Sequence, residues 1–181
     1  DLLARSQDWT ALLALLHEYH RASAWSAEQW RERLAIAVTG ACAEAQRLED
    51  VKAVWSKLSR AHRALPPVRL AYARACARLN AEAEAIAVIH QGLEQSWEPA
   101  LALLFTQMSP PDAMSALASA EQWLQQHGEQ PELLLAAATT CRRNKLWGKA
   151  RSYLDALIER YPSPAAHLEY GRLCLDLKQE D

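Results

Sequence analysis

The sequence predicts an all-α chain in which antiparallel helix pairs stack side by side, and three observations predict it. The 181 residues are 50% hydrophobic, enough for a continuous core, and alanine and leucine dominate; both are strong helix formers. Only 5 glycines are present and β-branched residues form few runs, so a β-rich fold lacks both its tight turns and its strands. The third observation is a period. Cys42, Cys76, Cys141 and Cys174 follow one another at intervals of 34, 65 and 33 residues, which is one period, nearly two, and one.

A period of about 34 residues is the length of a tetratricopeptide unit, in which two antiparallel helices are joined by a turn. In chain order, Asp8-Trp9-Thr10-Ala11-Leu12 to Tyr19 reads as the second helix of a pair (half-repeat about 1–22), followed by a connection over residues 23–29. Gln29 to Gln46 and Glu49 to Arg63 form the next pair, over about 28–64. Its register has two solutions. Aligning Cys42 with Cys76 puts Val51, Trp55 and Leu58 on the packing face, whereas counting back from Pro66 selects Val54, Leu58 and Ala61. A pair over about 66–96 follows, and then a divergent one over about 98–127, made of Ala100 to Phe105 and Ala113 to Gln126. In its connection, Pro111 and Asp112 form a helix-start signal.

The clearest pair covers about 131–161. Its second helix carries Ala150, Leu154 and Leu157 at spacings of four and three, which share one helix face. Ala138 and Ala150 are small where two helices cross closely, and Pro162 stops the second helix because it lacks an N–H donor. Subtracting 65 places Pro66, Ala73, Cys76, Ala85 and Ile89 on Pro131, Ala138, Cys141, Ala150 and Leu154. A last first-helix, about 164–178, contains Tyr170-Gly171 and Cys174, and its second helix would begin beyond Asp181. The chain thus reads as a piece of a longer protein, cut in mid-pattern. About nine helices are expected, as one right-handed superhelical α-solenoid and not two separate domains, since no Gly/Ser-rich linker interrupts it.

The balance of 20 Lys+Arg against 22 Asp+Glu supplies no general electrostatic drive toward nucleic acid. Four cysteines without a C-x-x-C pair do not make a disulfide framework at this size, which favours a reducing compartment. No signal peptide is visible, and no run approaches the roughly 18 apolar residues that cross a bilayer. An anchor outside this stretch is compatible with all of this.

The run Leu146-Trp147-Gly148-Lys149-Ala150-Arg151-Ser152-Tyr153-Leu154 resembles the hallmark segment of the HemY family of bacterial inner-membrane proteins. Asp8-Trp9 with Leu12-Leu13, Trp55-Ser56-Lys57-Leu58, Leu70-Ala71-Tyr72-Ala73 and Ser96-Trp97-Glu98-Pro99-Ala100-Leu101 agree in order. So do Ala120-Glu121-Gln122-Trp123-Leu124 and Pro131-Glu132-Leu133-Leu134-Leu135, and the resemblance covers most of the chain. Where the family has a Leu-Gly-Arg-like stretch, this chain has Ala137-Ala138-Thr139. The resemblance implies a transmembrane helix pair upstream, a tetratricopeptide region of which this is part, and an association with late haem synthesis. It implies residence in the inner membrane of a Gram-negative bacterium. The free cysteines favour the cytoplasmic face. A flavin-dependent protoporphyrinogen oxidase shares the family's name but needs a Gly-rich dinucleotide loop. Gly40, Gly92, Gly128, Gly148 and Gly171 stand too far apart to form one.

Little else points to chemistry. His17 and His20 are spaced like ligands on a helix, but a zinc site needs two more. The other histidines, His62, His90, His127 and His167, are scattered. A His or Cys can ligate haem, yet no C-x-x-C-H motif occurs. Cys76, Cys141 and Cys174 share a repeat position facing the interior of the pair, where core packing accounts for them. No nucleophile–base–acid set stands out, so no catalytic residue, metal or resident cofactor is expected. Seven tryptophans against a single Phe read as core and inter-repeat wedges.

The functional candidate is basic. First helices line the concave face of a tetratricopeptide array. On them, Arg74 and Arg78 share a face, Thr139 and Arg143 are their equivalents with Arg142 adjacent, and Arg172 takes the place of Thr139 one repeat on. A stripe of Arg74, Arg78, Arg142, Arg143 and Arg172 would receive an acidic peptide segment, a C-terminal carboxylate or tetrapyrrole propionates. Against this stands the plain alternative that these arginines solvate helix faces or lie over apolar neighbours. The expected function is a non-enzymatic scaffold for protein partners such as haem-synthesis enzymes. The rival is a carrier holding haem or protoporphyrin in the groove.

Overall fold

The computed structural model describes residues 8–18, 25–108 and 112–180. Among the described residues there are eleven helices and no strand. They group into two compact units, Asp1–Val88 and Ile89–Asp181. His20, Ser23 and the Ser109-Pro110-Pro111 connection lie outside the described residues, as does the side chain of His17.

In the first unit, α1 (Trp9–Glu18) lies on α2 (Ala27–Glu44). Ser26 starts α2 with a capping box: its hydroxyl accepts from Gln29 N (3.2 Å), and the Gln29 side chain accepts from Ser26 N (3.1 Å). The seat of α1 is Gly40. A Cβ there would come within 2.3 Å of the Trp9 ring, while the indole N–H donates to Glu44 Oε1 at 2.7 Å. Glycine mid-helix weakens α2 but lets the ring lie flat on its backbone.

The expected helix from Glu49 to Arg63 breaks in two. After α3 (Leu48–Lys57), Leu58 is extended (φ −81°, ψ 138°), and Ser59 caps the four-residue α4 (Arg60–Arg63) by accepting from His62 N at 3.2 Å. Arg63 then donates to the Trp55 and Ser56 carbonyls at the end of α3 (2.9 and 3.0 Å), the first of which also accepts from Leu58 N (3.1 Å). Val51 and Leu58 are buried, and Trp55 stacks on Tyr72 at 4.1 Å, whereas Ala61 is exposed. The register is therefore the one given by aligning the cysteines.

Proline at the first turn opens α5 (Pro66–Arg78), whose Val68, Tyr72, Ala73 and Cys76 are buried. The reversal into α6 (Glu82–Gln95) is a Schellman turn. Ala81 N donates to Cys76 O (2.8 Å), Asn80 N donates to Ala77 O (3.1 Å), and Asn80 takes the left-handed φ of 58°.

The second unit contains α7 (Pro99–Phe105), α8 (Ala113–His127), α9 (Pro131–Arg143), α10 (Trp147–Arg160) and α11 (Pro164–Glu180). Asp112 caps α8 by accepting from Met114 N and Ser115 N, both at 3.1 Å, as the start signal predicts. Between α9 and α10 the Schellman turn recurs 65 residues on. Leu146 N donates to Cys141 O (2.9 Å), Lys145 N donates to Arg142 O (3.0 Å), and Lys145 has φ 57°. The three-residue reversal packs α10 antiparallel on α9, with Ala138, Cys141, Ala150 and Leu154 wholly buried together. Leu173 and Ala166 of α11 join this core.

Two outcomes follow from the backbone. Gly40→Ala should cost about 1–3 kcal/mol by overpacking against Trp9, more than the roughly 1 kcal/mol that alanine gains in a helix. In a Trp9→Ala background the same change should become stabilising, and thermal melts of the four variants check the reversal of sign. A lysine in the left-handed region is strained where asparagine is not, so Lys145→Asn, which copies Asn80, should raise stability by about 0.5–1 kcal/mol. A lowered denaturant midpoint for Lys145→Asn would contradict the strain assigned to that turn.

Candidate functional site

The five arginines fall into three situations. Arg78 reaches back from the last turn of α5 and donates to Cys42 O (3.0 Å) and Ala45 O (2.7 Å). Those carbonyls end α2 and carry the negative pole of its dipole, so the guanidinium satisfies two orphan acceptors at once. Arg143, its equivalent 65 residues on, likewise donates to Met108 O in the turn closing α7. This shared role in capping the preceding first helix is what their register signals.

Arg142 points toward α11, where Nε meets Glu169 Oε1 at 2.6 Å and Nη1 meets Asp176 at 2.5 Å. The Glu169 side chain is only 4% exposed, and its other oxygen accepts from Arg172 at 3.1 Å. Removing one partner of a buried, hydrogen-bonded carboxylate costs several kcal/mol. Arg142 and Arg172 thus neutralise one buried acid together. Thr139, at the repeat position of Arg74, is buried in α9.

Arg74 differs from the other four. It is exposed, and among the described residues no hydrogen bond or ion pair engages it. It lines a pocket of about 470 Å³ on the face where α2 and α5 lie side by side. Thr39, Cys42 and Ala43 form the α2 wall. Pro67, Leu70, Ala71 and Arg74 form the α5 wall, and Arg78 closes the end where it caps α2. The structure brings Arg74 and Arg78 together here, and Arg142 with Arg172 at Glu169.

The thiols are packing groups. Burial, helped by neighbouring Cys76, pushes Cys42 up to about 12, and burial pushes Cys141 up to about 11. Both stay protonated at neutral pH and behave as small apolar side chains. All four cysteines are free, and only Cys174 is partly exposed. Gly171, the equivalent of Ala138, stands in open space, since a Cβ there would meet nothing within 4 Å.

The histidines have packing neighbours as well. His90 sits edge-on to Phe105 and Trp123, and burial lowers its pKa. His127 bonds Leu93 O at 2.6 Å. His62 lies 4.6 Å from the Trp30 ring, and His167 bonds Ser163 O at 2.9 Å. Among the described residues no cluster of His, Cys, Asp and Glu is arranged to hold a metal ion.

The sequence pointed neither to Glu169 and Asp176 as partners of Arg142 nor to a third acid. Glu121 of α8 accepts from Lys149 Nζ (3.0 Å) and Tyr153 Oη (2.9 Å), one turn apart on α10. The Lys149 bond, then the Tyr153 bond, hold the Glu121 carboxyl below its ordinary range against some desolvation. Burial, followed by the bond to Glu121, pushes Tyr153 up to about 12. Both partners belong to the Leu146–Leu154 run, so the i, i+4 spacing of a Lys and a Tyr was the available signal.

A tetratricopeptide repeat family model matches residues 131–173. No curated protein and no solved structure matches the chain. The matched stretch is the α9–α10 hairpin with the first turns of α11, where Ala138, Cys141, Ala150 and Leu154 interlock. The chain contains a tetratricopeptide repeat, and its fold is all-α, built of helix pairs of the α-solenoid class.

The thiol environments set a reactivity pattern. At pH 8, native protein should react promptly with a disulfide reagent at one thiol at most, Cys174, and at all four in 6 M guanidinium chloride. Fast labelling of Cys42 or Cys141 in the native state would contradict their burial.

Proposed function

We propose that the chain is a protein-interaction scaffold without catalytic chemistry of its own, the repeat region of a membrane-anchored HemY-like protein serving late haem synthesis. The observation that carries the scaffold reading is the pocket on the first-helix face, with an exposed guanidinium at Arg74 and apolar walls. Stacked helix pairs present such faces ready-formed, which lowers the ordering cost of binding an extended partner. The tetratricopeptide match supports the same reading, since these repeats are generally protein-binding modules.

The finer assignment rests on the sequence segments shared with the HemY family. Two of those segments touch, through Lys149 and Tyr153 on Glu121, which accounts for their occurring together as one packing unit. Among the described residues no helix is long and apolar enough to cross a membrane, and the upstream anchor in this proposal rests on the family resemblance. Placement at the cytoplasmic face of a Gram-negative inner membrane is part of the same proposal, supported by the four free cysteines.

The test is photocrosslinking of the full-length protein in native membranes from Ala43, beside the pocket. Enzymes of tetrapyrrole synthesis among the captured proteins are the expected result. Capture of unrelated proteins alone would sink the haem link and leave the scaffold. Absence of any specific capture, together with a saturable Soret shift on haem titration, would replace the scaffold with a tetrapyrrole carrier.

A further inference from the structure

The geometry points to a defined occupant for the pocket between α2 and α5: an extended segment of a partner protein bearing an Asp or Glu two residues from an aliphatic side chain. We propose that the carboxylate is held by Arg74 and the aliphatic side chain by Leu70, Ala71 and Ala43. This deepens the scaffold reading and rests on it.

Charge settles the sign of the ligand. The charged groups lining the pocket are Arg74 and Arg78, and no carboxylate lines it. Arg78 is anchored to the Cys42 and Ala45 carbonyls, so its charge stays fixed at the end of the cavity. Arg74 is exposed with no partner among the described residues, so its five donors remain available to a carboxylate in a fork geometry. Thr39, exposed on the facing helix, adds a neutral hydroxyl donor. The remaining walls are apolar, which excludes a ligand that is only charged. One available guanidinium in the pocket, on a chain of net charge −2, is also too little for a polyanion such as RNA.

Spacing settles the shape. Leu70 and Arg74 are one helical turn apart on α5, about 6 Å. Alternate side chains of an extended peptide point the same way at about 7 Å, so an aliphatic residue at i and an acid at i+2 meet the two in register. Neighbouring residues i and i+1 face opposite sides and cannot both enter. A volume of about 470 Å³ takes more than one side chain, which favours a two-residue footprint over a lone acidic one.

Fluorescence anisotropy with the full 181-residue chain tests this, using labelled seven-residue peptides with amidated C-termini. A peptide with a central Leu-x-Asp should bind saturably, and its Leu-x-Asn counterpart about tenfold or more weakly. Arg74→Gln should abolish that preference while the helical circular dichroism stays unchanged. Ala43→Phe, at an exposed position, should weaken both peptides by filling the aliphatic side of the pocket. Equal binding of the Asp and Asn peptides, or a preference that survives Arg74→Gln, overturns the proposal. So does binding that requires a free C-terminal carboxylate, tighter binding of Leu-x-x-x-Asp, or no binding at all. If crosslinking captures a partner that Arg74→Gln does not release, the scaffold stands and this occupant falls.

Discussion

Two of the reversals from a first helix to a second, α5 to α6 and α9 to α10, each turn on one residue held at positive φ. Asn80 and Lys145 both take that conformation, and each closes a Schellman pair of hydrogen bonds on the carbonyl of a buried cysteine. The second helix then leaves in the opposite direction from a fixed point. Its first buried small residue, Ala85 or Ala150, comes at the same offset in both units. Close packing of Ala138 on Ala150 follows from this geometry, because a three-residue reversal leaves two helices no room for large side chains where they cross. The cysteine period is therefore the trace of a backbone constraint: the position needs a small apolar side chain inside and a carbonyl free to accept.

The same helix ends dictate what the arginines do. A first helix finishes with open carbonyls and a negative pole, and the next first helix lies alongside it within a guanidinium's reach. Arg78 and Arg143 fill that need, and Arg142 with Arg172 answers a different one, the buried Glu169. Positive charge on first helices is thus first a requirement of stacking. A binding role would fall to a cation that stacking does not use, and among such cations of the first unit Arg74 is the one that lines the pocket.

The helix pairs were legible because periodicity, proline starts and the 65-residue offset all report on the core, and the core repeats. The break at Leu58–Ser59 was not, since Val51, Trp55 and Leu58 keep one packing face through a chain that has already left the helix. Ser59 as a cap was the only local sign of it. For the site, sequence placed the right residue type on the right helices but could not separate capping from binding, because that depends on which carbonyls lie 33–36 residues upstream in space. Glu121 escaped notice for the same reason. Its partners Lys149 and Tyr153 sit on another helix, and nothing local marks an acid that will receive two donors.

The pocket itself is a by-product of small residues. Ala43, Ala71 and Ala75 line it, and their short side chains leave the space between the adjacent helices α2 and α5 unfilled. Arg78 closes one end because it must cap α2 there. Arg74, one turn back, inherits a position beside an apolar hollow and next to a fixed like charge. An entering acid would meet both charges at one end of the hollow, Arg78 fixed by its capping bonds and Arg74 available beside it. The device that stacks the helices thereby also sets the charge at the closed end of the pocket they form.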